Sequence, residues 1–247
     1  MAEALEDLLK NPKRAAWKLI GAALLLCASS AFADVNMTLT GVGSNGALGN
    51  VYVGPYQGTI NGVSTPIICD DFYDDSYFNE AWMATVSTFS NLSGTRFGAS
   101  APGSVDGVTQ TVATEYEEAA WLAQQLVNPA TTCPKTANCA GDIQFAMWEI
   151  FDNTGNNTPF SLLSNADLSN AQWWLTQAGM QNFYTGEFSN VTIYTPSSCQ
   201  RNCGGTLPQE FMVVTTPEPS EIALLGIDLS GVGALLFLVY RRRTHRV

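Results

Sequence analysis

Histidine and basic residues are the scarcest side chains in this sequence of 247 residues. The single histidine is His245, and residues 34–216 contain only Arg96, Lys135 and Arg201 as basic residues. Without histidine, that segment has neither a Ser-His-Asp nor a Cys-His catalytic pair, and it has no ordinary histidine-containing zinc site. A single lysine also disfavours Ser-Lys chemistry and Lys-Asn isopeptide bonds.

The shortage of positive charge bears on partners as well. Residues 34–216 hold 16 acidic residues against three basic ones, a formal net charge of about −13. A segment this acidic does not neutralise phosphates, so we expect no nucleic-acid binding. The sequence has no glycine-rich phosphate-binding loop and singles out no carboxylate pair for glycoside hydrolysis. We therefore predict a non-enzymatic protein with no cofactor and no metal.

Charged residues are only 13% of the chain, yet long apolar runs occur only at its two ends. Near the N-terminus, a basic region precedes the run LIGAALLLCASSAFA, which closes on an Ala-x-Ala pattern at Ala31 and Ala33. Such a sequence is typical of a secretory signal peptide. We predict a signal peptide over 1–33 and an exported domain over 34–216, with an uncleaved anchor as the alternative.

The C-terminal run spans residues 222–240, close to the roughly 20 residues that a helix needs to cross a bilayer. It predicts a transmembrane helix whose arginine-rich end stays in the cytoplasm. Asp228 within the run makes the span less favourable. The flanking motif residues are Pro217, Glu218, Pro219, Arg241, Arg242 and Arg243.

This order of a Pro-Glu-Pro turn, an apolar helix and an arginine cluster resembles the PEP-CTERM sorting signal of Gram-negative bacteria, here over 217–247. The resemblance implies processing by an exosortase, a membrane cysteine transpeptidase that cuts near the Pro-Glu-Pro. The protein would first be anchored in the inner membrane and then reach the cell surface or the extracellular space. Members of this group often accompany exopolysaccharide and biofilm genes.

The exported segment is predicted to be a single α+β domain. β-Branched and aromatic residues between Gly, Asn and Pro turns predict strands in the N-terminal half, including VSTPIICDDF and WMATVSTF. Three helical segments follow, at 114–128, 141–152 and 165–186. Thr114 and Glu117 have the spacing of a capping box. The segments NVTIYTP and EFMVVTT predict a return to strand.

Cysteine spacing leaves one thiol unmatched. Loss of the signal peptide would remove Cys27 and leave five cysteines in an oxidising compartment. Cys133 and Cys139 lie six residues apart, and Cys199 and Cys203 four, so either two local disulfides or crossed pairing is expected. Cys69 is the residue left over. One interpretation is a buried, inert thiol that packs as a small hydrophobe.

The other interpretation pairs Cys69 with Gln144. The segments ICDD and IQFAMW resemble the paired motifs of class I thioester domains in bacterial surface adhesins, over residues 66–151. Ile68 and Ile143 stand where that family has an aromatic or leucine and a threonine. The resemblance implies an internal thioester between the Cys69 sulfur and the side-chain carbonyl of Gln144, formed with loss of ammonia. Gln144 is expected to open a helix with Trp148 on the same face.

The residues around Cys69 suggest what would serve such a bond. Apolar cover is expected from Phe72, Tyr73, Trp121 and Trp148, because a thioester survives in water only when shielded. The four aspartates behind Cys69 predict an acidic, solvated rim that attracts ammonium groups. Calcium binding is the alternative for these carboxylates. The rim residues are Asp70, Asp71, Asp74 and Asp75.

The sequence thus predicts an exported surface or matrix protein, in its sharpest form a covalent adhesin that reacts with a lysine of a partner protein. The alternative is a non-covalent structural or exopolysaccharide-associated module with an inert Cys69. In that case Trp173 and Trp174 would be candidates for stacking on sugars, although adjacent tryptophans are more often core residues.

Overall fold

The computed structural model describes residues 34–98, 104–105, 108–127, 138–151 and 158–215. The predicted signal peptide, the predicted sorting tail and Cys133 lie outside these residues. None of the helices within the described ranges is long and apolar enough to cross a membrane.

The described chain is strand-rich at first, then helical, and returns to strand at its end. The strands are β1 (Val35–Gly41), β2 (Ala47–Leu48), β3 (Val51–Tyr52), β4 (Tyr56–Ile60), β5 (Val63–Cys69), β6 (Ala81–Ser87), β7 (Ser104–Val105), β8 (Val108–Thr109), β9 (Val191–Arg201) and β10 (Phe211–Val214). The helices are α1 (Val112–Val127), α2 (Cys139–Phe151) and α3 (Asn165–Gly179), with a 3-10 turn at Pro159–Leu162. The predicted α+β class is confirmed.

Six strands close into an antiparallel barrel in the order β1-β4-β5-β10-β9-β6. Asn61 and Gly62 connect β4 to β5 with positive φ values of 49° and 81°. An Asn-Gly pair suits this two-residue turn because both central positions need a left-handed backbone. The turn sets the register in which Tyr56 lies opposite Ile67. The helices are inserted between β6 and β9, so the last two strands complete the barrel.

Helix α2 is central to the packing because it is buried on two sides. Its stripe of Ile143, Ala146, Met147 and Ile150 packs in a cluster with apolar residues of α1 and α3. On its other side, Phe145 and Trp148 belong to a second apolar cluster, which lies inside the barrel. A polar residue on that second side is therefore enclosed between the helix and the strands.

The starts of α1 and α2 and the end of α3 differ from the predicted boundaries. Helix α1 begins at Val112, and the hydroxyl of Thr111 accepts a hydrogen bond from the Thr114 N–H at 3.2 Å. The predicted capping box of Thr114 and Glu117 is therefore wrong, because Thr111 caps the helix one turn earlier. Helix α3 ends at Gly179 rather than near residue 186, since glycine is a poor helix former and mostly exposed residues follow.

Candidate functional site

Cys69 is the last residue of β5 and is completely buried. It carries a free thiol and lies opposite Phe211 of β10. The thiol donates a hydrogen bond to the backbone carbonyl of Asp71, with a sulfur–oxygen distance of 2.8 Å. Cys69 therefore faces the barrel interior, and its thiol proton is hydrogen-bonded to the backbone two residues further along the chain.

Gln144 is also completely buried, and it lies in the second turn of α2. The prediction that it opens the helix is wrong, because the helix begins five residues earlier, at Cys139. Its Nε2 donates to the backbone carbonyl of Cys69 at 2.6 Å, and its Oε1 accepts from the Gly54 N–H at 3.2 Å. The fold thus brings the side-chain amide of Gln144 onto Cys69, 75 residues away in the chain.

Gly54 is part of this arrangement and was not singled out by the sequence analysis. A Cβ atom at this position would lie 2.8 Å from Gln144 Oε1 and 3.2 Å from the ring of Tyr56. Only glycine lets the backbone approach the amide this closely. The Gly-Pro pair in VGPYQ resembled an ordinary turn, so nothing local pointed to a contact 90 residues away.

Aromatic rings enclose the pair. Trp148 is 2% exposed, and its ring centroid lies 5.0 Å from Phe145 and 5.3 Å from Phe72. Of the predicted cover residues, Phe72 and Trp148 lie at the pair, whereas Tyr73 is exposed. Trp121 was predicted wrongly, because it packs against Trp174 in the helical cluster, with ring centroids 6.1 Å apart.

The electrostatics keep the Cys69 thiol protonated. Burial raises the pKa of Cys69 well above its ordinary value, and the carboxylates of Asp71 and Asp70 raise that pKa further. The backbone of Asp71 and the side chain of Trp148 act in the opposite direction through hydrogen bonding. The indole Nε1 of Trp148 is buried and has no well-formed hydrogen bond among the described residues. It is a donor available to any negative charge that develops on the sulfur.

The aspartates after Cys69 do not form the predicted solvated rim. Asp70 and Asp71 are buried, Asp74 is half-buried and Asp75 is exposed. Asp71 accepts hydrogen bonds from the N–H groups of Tyr73 at 3.1 Å and Asp74 at 3.3 Å. The local reason is a turn that folds the carboxylate of Asp71 back over its own backbone.

The buried carboxylate of Asp71 is tolerated because Arg96 pairs with it. The Arg96 guanidinium lies 2.7 Å from Asp71 Oδ2, forms a second ion pair with Asp74, and donates to the carbonyl of Pro208 at 2.6 Å. Burial still raises the pKa of Asp71, and Arg96 lowers it. A paired, hydrogen-bonded charge is the condition under which buried carboxylates are stable.

Asp70 lies beside a second buried carboxylate, Glu210, which sequence reasoning missed. Glu210 accepts hydrogen bonds from the Tyr116 hydroxyl at 2.6 Å, from the Arg96 N–H at 2.7 Å and from the Thr195 hydroxyl. Burial raises the pKa of both carboxyl groups, and their proximity raises that of Asp70 further. The three hydrogen bonds lower the pKa of Glu210 against the effect of burial, whereas neither side-chain oxygen of Asp70 has a hydrogen-bond partner among the described residues.

The remaining predicted site residues are dispersed. Cys199 and Cys203 form a disulfide, which confirms that local pairing, and Cys139 is also disulfide-bonded. Trp174 is buried, whereas Trp173 is 50% exposed, so the expectation that both belong to the core was wrong for Trp173. In the described part of the chain, no cluster of three or more His, Cys, Asp or Glu residues is arranged to hold a metal ion.

A cleft of about 340 Å³ opens next to the Cys69–Gln144 pair. Its inner side is lined by the rings of Tyr56, Phe72, Trp148 and Phe211. Tyr52, Asp75, Tyr77 and Phe78 lie nearer the solvent. We call this cleft, defined by these eight residues, the aromatic groove.

Comparison with known proteins gives little beyond this geometry. No protein-family model matches the chain, and no curated protein sequence matches it. Among solved structures, the N-terminal thioester domain of fibronectin-binding protein SfbI from Streptococcus pyogenes aligns with a TM-score of 0.39 at 10% identity, over 65% of this chain and 85% of that one.

Proposed function

We propose that residues 34–216 form an exported surface domain with an internal thioester between Cys69 and Gln144. The observation that supports this proposal is the 2.6 Å hydrogen bond from the Gln144 amide to the Cys69 carbonyl, between two completely buried residues. Because the amide is held against the backbone of a buried cysteine whose thiol is free, an acyl transfer between the two side chains would benefit from their proximity.

The proposed step balances without any added reagent. The Cys69 sulfur attacks the side-chain carbonyl carbon of Gln144, a C–S bond forms and the C–N bond breaks. The thiol proton moves to the departing nitrogen, which leaves as ammonia. The Gly54 N–H already donates to Gln144 Oε1, so it would stabilise the negative charge that this oxygen gains in the tetrahedral intermediate.

The resulting acyl group would be an electrophile for a primary amine. Attack by an amine forms an amide bond to the Gln144 carbon and returns Cys69 as a free thiol. Each molecule reacts once, so this is covalent adhesion and not enzymatic turnover. We infer a lysine-bearing surface protein as the partner.

Intact mass spectrometry of the purified mature protein under non-reducing conditions tests the proposal. We expect a mass lower by one ammonia than the sequence mass, and an amine adduct after methylamine treatment. Cys69→Ala and Gln144→Ala should each abolish both changes. A normal mass, together with a Cys69 thiol that iodoacetamide alkylates after unfolding, would contradict the formation of a thioester.

Export and sorting are a separate part of the proposal and rest on the sequence of the two ends. We infer delivery across the inner membrane, anchoring by residues 222–240 and processing near Pro217-Glu218-Pro219 by an exosortase-type enzyme. Replacing Arg241, Arg242 and Arg243 with alanine should reduce surface display, measured by protease accessibility on whole cells. Unchanged display would contradict the role of the arginines.

A second candidate function is a non-covalent, exopolysaccharide-associated module. The supporting observation is the exposed ring of Trp173, 50% accessible at the surface of α3, since exposed aromatic rings offer apolar faces to sugars. A normal intact mass together with weaker retention of Trp173→Ala than of wild type on immobilised exopolysaccharide would favour this function.

A further inference from the structure

The aromatic groove and the Cys69–Gln144 pair share a wall. Phe211 lies opposite Cys69 in the β5–β10 ladder, and the side chain of Trp148 lies close enough to the sulfur to lower the pKa of the Cys69 thiol. The ring of Tyr56 lies within 3.3 Å of the position that a Gly54 side chain would take, next to Gln144 Oε1. These three residues also line the groove. The reactive pair thus lies directly behind the inner surface of the groove.

The outer part of the groove combines exposed aromatic rings with one carboxylate. Tyr52, Tyr77 and Phe78 are 53%, 48% and 49% exposed, which is unusual for large apolar side chains grouped at one opening. Asp75 lies among them, with its Oδ2 only 3.5 Å from the Tyr77 hydroxyl. No basic side chain lines this groove among the described residues.

The segment that carries Asp75 is held in place from both sides. The Gln209 N–H donates to the Ser76 hydroxyl at 3.0 Å, and Gln209 Nε2 donates to the Asp71 carbonyl at 2.8 Å. The Tyr77 N–H donates to Glu80 Oε2 at 2.7 Å. The carboxylate at the groove entrance is therefore presented by an ordered loop.

We propose that the aromatic groove selects unbranched primary ammonium groups, such as a lysine side chain, and delivers them to the Gln144 acyl carbon. This inference rests on the proposed thioester. The aromatic rings accept an alkyl chain and interact with a cation through their faces. Asp75 supplies the complementary charge at the entrance. The half-buried ring of Phe72 lies against Trp148 on the inner side of the groove, with ring centroids 5.3 Å apart.

The covalent step follows from this placement. The docked ammonium first loses a proton to solvent, because only the neutral amine has a free electron pair. The amine nitrogen then attacks the Gln144 carbonyl carbon, the C–N bond forms and the C–S bond breaks. The electron pair of that bond goes to sulfur, and the second amine proton ends on the Cys69 thiol.

Rates of thioester loss with two probe amines test the groove. Pentylamine is a cationic, unbranched alkylamine at pH 7, whereas hydroxylamine is mostly neutral and has no alkyl chain. Asp75→Asn should slow pentylamine roughly two- to fivefold, the range expected for one exposed charge interaction, and should leave hydroxylamine unchanged. Phe78→Ala should act in the same direction, and the effect of Asp75→Asn should shrink at high salt.

Asp34→Asn is the matched control, since it removes one exposed carboxylate that does not line the groove. Equal effects of Asp75→Asn and Asp34→Asn, or equal slowing of both probes, would overturn the groove as the selecting site while leaving the thioester intact. A wild-type protein that shows no ammonia loss and no adduct with either probe would instead overturn the thioester itself, and with it this inference.

Discussion

The side-chain amide of Gln144 donates to the backbone carbonyl of Cys69 at 2.6 Å, with both residues fully buried. A buried amide normally satisfies its polar atoms with neighbours. Here the neighbours are the Cys69 carbonyl and the Gly54 N–H. The same contacts that stabilise Gln144 also hold its amide against the backbone of Cys69, so the structural and chemical roles of Gln144 need separate measurements.

Gln144→Ala is expected to destabilise the fold by about 1–3 kcal/mol, because it leaves the buried Gly54 N–H and Cys69 carbonyl without their partner. Urea denaturation monitored by tryptophan fluorescence measures the free energy of unfolding. Gln172→Ala, on the exposed side of α3, is the control and should change it by less than about 0.5 kcal/mol. Equal effects of the two substitutions would contradict the buried role of Gln144.

Gly54→Ala should displace the Gln144 amide, since the added Cβ would lie 2.8 Å from Oε1. We expect a loss of about 1–3 kcal/mol in unfolding free energy and a smaller fraction of molecules that have lost ammonia. Gly179→Ala is the control, because its Cβ would meet Glu118 at an ordinary 3.7 Å. A Gly54→Ala protein with the wild-type fraction of thioester would rule out this steric requirement.

Trp148→Phe keeps an aromatic ring in the cover but removes the indole N–H that lies near the Cys69 sulfur. That N–H lowers the pKa of the thiol, so its loss should make Cys69 a poorer leaving group. We expect aminolysis of the thioester to slow about 10- to 100-fold, the kinetic equivalent of losing one hydrogen bond to a charged group. Mass spectrometry of samples quenched at increasing times after methylamine addition measures the rate.

Trp82→Phe is the matched control for Trp148→Phe. Trp82 is also buried and also lacks a partner for its Nε1 among the described residues, but it stacks on Phe211 with centroids 5.6 Å apart. If both variants slow aminolysis to the same extent, the effect is general loss of packing and not the N–H beside the sulfur.

The free energy of unfolding should fall as the pH rises from acidic to neutral values, because of the buried carboxyl groups of Asp70 and Glu210. Burial raises the pKa of both groups in the folded state, so folding favours their protonated form. The stabilisation is therefore fully present below their unfolded pKa values, near 4, and is lost as pH rises through the higher folded values. Asp142, with a folded pKa of about 6, and Glu118, with one of about 7, act in the same direction.

Asp70→Asn isolates the contribution of the carboxyl pair, because the amide is neutral at every pH. Urea denaturation at pH 5 and pH 8 should show a smaller difference in unfolding free energy for Asp70→Asn than for the wild type. Asp34→Asn, an exposed replacement, should keep the wild-type difference. If Asp70→Asn also keeps it, the pair does not hold a proton between these pH values.

Much of the fold was predictable because its signals are local. β-Branched and aromatic residues on either side of the Asn61-Gly62 turn are typical of the β4–β5 hairpin, and helical periodicity predicts the apolar stripe of α2. Cysteine spacing also left Cys69 as the unmatched thiol. Less predictable were the first turn of α1 and the end of α3, where capping by Thr111 and the lack of further residues to bury decided the boundary.

The sequence by itself determined the α+β class, the acidic body without histidine and the two residues proposed to react. Only the tertiary structure decided that Gly54 donates to Gln144, that Asp70 is buried beside Glu210 and that an aromatic groove opens behind Trp148. The physical reason is separation along the chain, since these contacts join residues on different strands and helices. Local propensity carries no information about such partners, and the closing of the barrel by β10 creates them.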